Sequence, residues 1–124
     1  KHRAKANEIE SMRLIGDVTD KNVVLVDDLV DTGGTLCTAA NLIMEKGARS
    51  VRALITHPVL SGKAIENIKN SYLQKVIVTN TIPLSDEGKK LQEEGRIVVL
   101  SVAKMLARAI KSIHDETSVS SLFI

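Results

Sequence analysis

The chain has 124 residues, 44% of them hydrophobic, which suffices for one domain with its own core. A formal net charge of +2 and a lone Tyr72 and Phe123 as aromatics exclude a basic or base-stacking nucleic-acid surface. No run approaches the roughly 18 apolar residues of a membrane span, and no basic-then-apolar leader is readable. The single cysteine, Cys37, reads as a small buried hydrophobe and fits a reducing, cytoplasmic setting. The chain opens on Lys1 rather than Met, as a piece of a longer polypeptide would.

From residue 6 to 18 the periodicity is mixed, and an extended segment is expected. Asn22 to Val26 reads as a buried strand, and Thr35 to Lys46 as a helix with Leu36, Ala39, Ala40, Ile43 and Met44 on one face, closed by Gly47. A second strand over Val51 to Thr56 leads into a loop, His57-Pro58-Val59-Leu60, then a helix capped by Ser61 and carrying Ala64, Ile65 and Ile68 inward. Lys75 to Val78 forms a third strand and Thr79 to Pro83 a loop. Ser85 caps a short helix whose first turn holds Asp86 and Glu87, favourable beside the helix dipole, and Gly95 ends it.

Ile97 to Leu100 is a fourth strand. In the last helix Val102, Met105, Leu106, Ala109, Ile110 and Ile113 recur at helical spacing, with Lys104, Arg108 and Lys111 on a solvated opposite side. Strands alternating with helices predict an α/β domain with a parallel sheet and right-handed crossovers. Such sheets bind ligands beyond the carboxyl ends of their strands.

The stretch VVLVDDLVDTGGTL, residues 23–36, ends at that edge. It matches neither G-x-x-x-x-G-K-[ST] nor G-x-G-x-x-G, so two familiar nucleotide loops drop out. Gly33 and Gly34 permit tight turns, Thr32 and Thr35 add hydroxyl donors, and the following helix start favours an anion. Asp27, Asp28 and Asp31 would repel that anion unless they address something else. Sugar hydroxyls and Mg2+, held directly or through its waters, both suit carboxylates. The residues thus describe a loop whose downstream half grips one phosphate while its upstream half reads a diol; the plain alternative is an acidic turn in which Asp31 or Thr32 merely caps a helix.

The stretch resembles the phosphoribosyl-pyrophosphate signature of type I phosphoribosyltransferase folds. Its surroundings are similar to ribose-phosphate pyrophosphokinase: Lys1-His2-Arg3, Asn7-Glu8, Ile15-Gly16-Asp17-Val18, Thr56-His57-Pro58 with Ser61-Gly62, Thr79 to Ser85, and Ser118-Val119-Ser120 with Phe123. The resemblance implies a three-layer, Rossmann-like fold with a mainly parallel sheet. It makes residues 1–124 a carboxy-terminal phosphoribosyltransferase-like domain that lacks the family's amino-terminal domain. It also implies transfer of diphosphate from ATP to the anomeric hydroxyl of ribose 5-phosphate with Mg2+, in a cytoplasmic homo-oligomer.

Carried over position by position, Asp31, Thr32, Gly33, Gly34 and Thr35 would hold the 5-phosphate, and Asp27 and Asp28 the ribose hydroxyls, with Asp27 in direct contact. Lys1 and Arg3 match a catalytic loop whose cations cover the reacting phosphates. Ser118, Val119, Ser120 and Phe123 match a regulatory pocket for phosphate or ADP; read as residues alone they form a polar tail tucked in by Leu122 and Phe123. His57 reads as a loop histidine satisfied by backbone, and no metal ligands are assigned. A phosphoribosyltransferase, or a non-catalytic regulatory homologue, would share the central loop.

Overall fold

The computed structural model describes residue 14 and residues 16–123. Of the segment expected to be extended, residues 14 and 16–18 are not in a strand, and the remainder lies outside the described residues. The first strand, β1, spans Asn22–Val30 and leads to helix α1, Gly34–Glu45. There follow β2 (Ser50–Pro58), α2 (Ala64–Lys69), β3 (Leu73–Thr79), α3 (Asp86–Glu93), β4 (Ile97–Leu100), α4 (Ala103–His114) and a 3-10 turn over Ser120–Phe123. All strand pairs are parallel, in the order β1-β2-β3-β4.

That order follows from the connections. Each pair of strands is joined by a helix long enough to carry the chain back, and stepping one way across a sheet with right-handed crossovers places every connecting helix on the same face. Val51, Ala53, Ile55, Val76, Val78 and Ile97 therefore meet Cys37, Ala40 and Ile43 of α1, Ile65 and Ile68 of α2, and Leu91 of α3 in one buried cluster. Burying each Ile or Leu there is worth about 1.5–3 kcal/mol.

Several local expectations hold. The Ser85 hydroxyl accepts from the Gly88 N–H at 3.1 Å and caps α3, while Gly47 and Gly95 take the left-handed conformation just past α1 and α3. β4 has the expected bounds.

Other expectations are corrected. β1 does not stop at Val26, because Asp27 stands opposite Ile55 and Leu29 opposite His57 in the ladder. His57 and Pro58 likewise belong to β2 rather than a loop. Ser61 does not cap α2: the N-cap position is Lys63, with no side-chain cap bond. Nor does the stripe of α4 bury itself, since no residue of that helix is buried and Ile110 and Ile113 remain 67% and 70% exposed.

Candidate sugar-phosphate site

The site begins where β1 ends. Leu25, Val26, Asp27, Leu29 and Val30 run into Asp31, Thr32, Gly33 and Gly34, and α1 continues with Thr35, Leu36 and Ala39. Together these residues line an open cleft of about 380 Å³ at the carboxyl edge of the sheet. Strand and helix meet through one tight turn. Gly33 makes that turn at φ 79°, a left-handed conformation that a Cβ would strain, and its carbonyl accepts the first helical bond from Cys37 N at 2.9 Å.

Of the residues expected to bind substrate, the structure brings Asp27, Asp31, Thr32, Gly33, Gly34 and Thr35 into this one cleft. Asp28 is exposed and does not line it. Its N–H instead donates to Asp27 Oδ1 at 2.8 Å, which fixes the Asp27 carboxylate beside the backbone while leaving its other oxygen available to a hydroxyl. The charged groups among the described lining residues are Asp27 and Asp31, so the cleft as described carries carboxylates and helix-start donors but no basic side chain. Lys1 and Arg3 lie outside the described residues.

The Asp31 carboxylate is already engaged, accepting a close hydrogen bond from the Ser61 hydroxyl. Asn67 of α2 donates from Nδ2 to the Thr32 carbonyl at 2.9 Å. Neither Ser61 nor Asn67 stands out by spacing as part of a phosphate loop; both act on it only because β2 and α2 pack beside β1 and α1.

His57 is held by a side chain, not by backbone: its Nδ1 lies 2.9 Å from Thr81 Oγ1. Thr79 Oγ1 donates to the Thr56 carbonyl at 2.6 Å, so the ends of β2 and β3 are tied by hydroxyls. At the carboxy terminus Ser118 Oγ and Ser120 Oγ lie 2.6 Å apart, and Ser121 Oγ donates to the Ser118 carbonyl at 3.2 Å, forming a self-bonded turn after α4 that includes Val119 and Phe123. Cys37 is buried beneath the loop; burial pushes its thiol up, and the Ser71 hydrogen bond and the Arg96 charge oppose that only in part.

Among the described residues no three His, Cys, Asp or Glu side chains are grouped to hold a metal. Mg2+ rarely needs such a cage, because it is commonly carried by one or two carboxylates together with substrate phosphates and water. Asp27 in the cleft and the exposed Asp28 beside it are carboxylates of that kind.

Comparison with known proteins bears on the family and the fold. A sequence profile described as "Phosphoribosyl synthetase-associated domain" matches residues 2–124. The chain is 52% identical over 123 residues to a ribose-phosphate pyrophosphokinase of Marinomonas sp. (strain MWYL1), and 48% identical to ribose-phosphate pyrophosphokinase 3 of Saccharomyces cerevisiae. In both cases 99% of this chain is covered, and it spans 38% of the relative's length. The crystal structure of phosphoribosylpyrophosphate synthetase from Mycobacterium smegmatis superposes with a TM-score of 0.79 at 38% identity, covering 88% of this chain and 35% of that one. The α/β fold is therefore of the phosphoribosyltransferase type that the resemblance implied. With a profile match over nearly its whole length, the chain belongs to the phosphoribosyl synthetase-associated domain family.

Proposed function

We propose that this chain is the carboxy-terminal part of a ribose-phosphate diphosphokinase and that its cleft holds ribose 5-phosphate. The observation that carries this reading is the convergence of Asp27 with the turn from Asp31 to Thr35 in one cleft at the end of β1. The turn and the start of α1 receive the 5-phosphate through backbone N–H groups and the Thr hydroxyls, where aligned peptide dipoles favour an anion. Asp27 accepts from a ribose hydroxyl, with Asp28 at the rim.

In the complete enzyme the anomeric oxygen attacks the β-phosphorus of ATP, the bond from that phosphorus to the α–β bridging oxygen breaks, and AMP leaves with that oxygen. The anomeric proton is lost, and phosphoribosyl pyrophosphate forms. Cations over the transferring group stabilise its charge, the role assigned to Lys1 and Arg3; bound Mg2+ would supply further neutralisation beside Asp27 and Asp28. The remaining length of the relatives supplies the ATP pocket, so this chain by itself binds the sugar phosphate with little or no turnover. The whole protein works as a cytoplasmic homo-oligomer, and the turn formed by Ser118, Val119, Ser120 and Phe123 serves a phosphate or ADP effector.

The deciding experiment incubates the complete protein with ATP, Mg2+ and ribose 5-phosphate and follows AMP. Stoichiometric AMP and phosphoribosyl pyrophosphate are expected. A phosphoribosyltransferase would yield no AMP from this mixture, and a regulatory homologue would bind the sugar phosphate without converting it.

A further inference from the structure

Three consecutive carbonyls at the entrance to the phosphate turn are taken by the segment joining β2 to α2 and by α2 itself. Leu60 N donates to the Val30 carbonyl at 3.1 Å, Ser61 N to the Asp31 carbonyl at 3.0 Å, and Asn67 Nδ2 to the Thr32 carbonyl at 2.9 Å. A trans peptide points its C=O and N–H in opposite directions. Holding the carbonyls of residues 30–32 toward residues 60–67 therefore turns the N–H groups of Asp31, Thr32 and Gly33 the other way. Residues 60–67 do not line the cleft, whereas Asp31, Thr32 and Gly33 do, so the direction away from the clamp is the direction of the ligand. Successive N–H groups aimed at one point make an anion-binding concavity.

The Asp31 carboxylate fits the same arrangement. Left loose, it would stand against a phosphate dianion; bonded to the Ser61 hydroxyl, it is held on the clamp side instead. We propose that Ser61 and Asn67 are positioning residues for the phosphate turn, and that the Asp31 side chain ties the turn to the β2–α2 segment rather than contacting the phosphate. The inference deepens the reading of this cleft as a ribose 5-phosphate site and rests on it for the identity of the ligand.

The test has two arms. In the complete protein, calorimetric titration with ribose 5-phosphate should show Ser61→Ala and Asn67→Ala weakened about 2- to 12-fold, the range for losing one ordinary hydrogen bond. Ser61→Thr, which keeps the hydroxyl, should recover most of the loss. Asp31→Asn, which keeps the acceptor, should lose less affinity than Asp31→Ala, and joining Asp31→Ala to Ser61→Ala should add little. Equal losses for Asp31→Asn and Asp31→Ala, or fully additive losses in the double variant, would overturn the tie.

The second arm needs no ligand. Amide hydrogen exchange at Leu60 and Ser61, whose N–H groups donate to the Val30 and Asp31 carbonyls, should quicken in Ser61→Ala and Asn67→Ala while β3 and β4 keep their protection. Unchanged exchange there defeats the clamp even if ribose 5-phosphate binds well. Conversely, quickened exchange in a protein that ignores ribose 5-phosphate upholds the clamp and removes the ligand assignment instead.

Discussion

The two faces of the sheet carry similar aliphatic side chains and treat them differently. Toward α1, α2 and α3, Val51, Ala53 and Val76 are 0% exposed, whereas on the opposite face Val26 is 76% and Leu100 56% exposed, with Val24 and Leu54 also open. Parallel strands usually have both faces covered, and the unbroken aliphatic run of β1 is of that kind. Among the described residues, one face is covered by helices and the other is not. Stability is thus concentrated on the α1–α3 side, and the cleft draws Leu25, Val30, Leu36 and Ala39 from that side, with Val26 of the open face also lining it.

The contrast can be broken most directly in the core. Ile68→Ala, at a position 0% exposed between α2 and the sheet, should cost about 2–5 kcal/mol in denaturant unfolding of this chain. Val26→Ser on the open face should stay within about 0.5 kcal/mol. Comparable losses from the two would mean that both faces are covered in solution.

If the cleft shares the rigidity of the covered side, its substitutions should change binding more than folding. Thr35→Ala is expected to weaken ribose 5-phosphate affinity by about 1–3 kcal/mol in calorimetry, with a smaller change in the unfolding midpoint. Unaltered affinity would remove the turn from the ligand. At the rim of the covered layer, Ser85→Ala should destabilise the chain by about 1 kcal/mol through loss of the bond to Gly88 N, readable as a shift in denaturant midpoint without a change in slope.

The smallest effect concerns Cys37. Because burial raises its folded pKa, the unfolded thiol ionises first as pH rises, and the folded chain then holds more protons than the unfolded one. Stability should fall between the unfolded and folded thiol pKa values and show no contribution from Cys37 below that window. Alkylation of the native chain by iodoacetamide should be far slower than that of the urea-unfolded chain; equal rates would show that the covered face opens readily.

Much of this molecule was legible before its structure, and the misses have identifiable causes. The tight turn between β1 and α1 was readable because Asp-Thr-Gly-Gly-Thr between an aliphatic run and a helical pattern states its backbone geometry locally. The bounds of β4, the Ser85 cap and the inward set Ala64, Ile65 and Ile68 were readable for the same reason. Asp27 to Val30 read as loop because Asp27 and Asp28 interrupt the aliphatic run, yet the ladder with β2 draws them into the strand. Ser61 has the chemistry of a helix cap, but the approach of Asp31 gave its hydroxyl another partner. The apolar stripe of α4 predicts burial, and a periodic pattern carries no information about whether a surface exists to receive it.

Residue order alone therefore determined the element sequence, the parallel α/β class and the place of the turn, since each depends on side chains only a few positions apart. The tertiary structure decided which carboxylate faces the cleft, which is tied back, and which aliphatic face is covered. Those outcomes depend on hydrogen bonds and packing between segments roughly 30 residues apart in sequence, as between Asp31 and Ser61, and no local pattern encodes which groups such segments bring together.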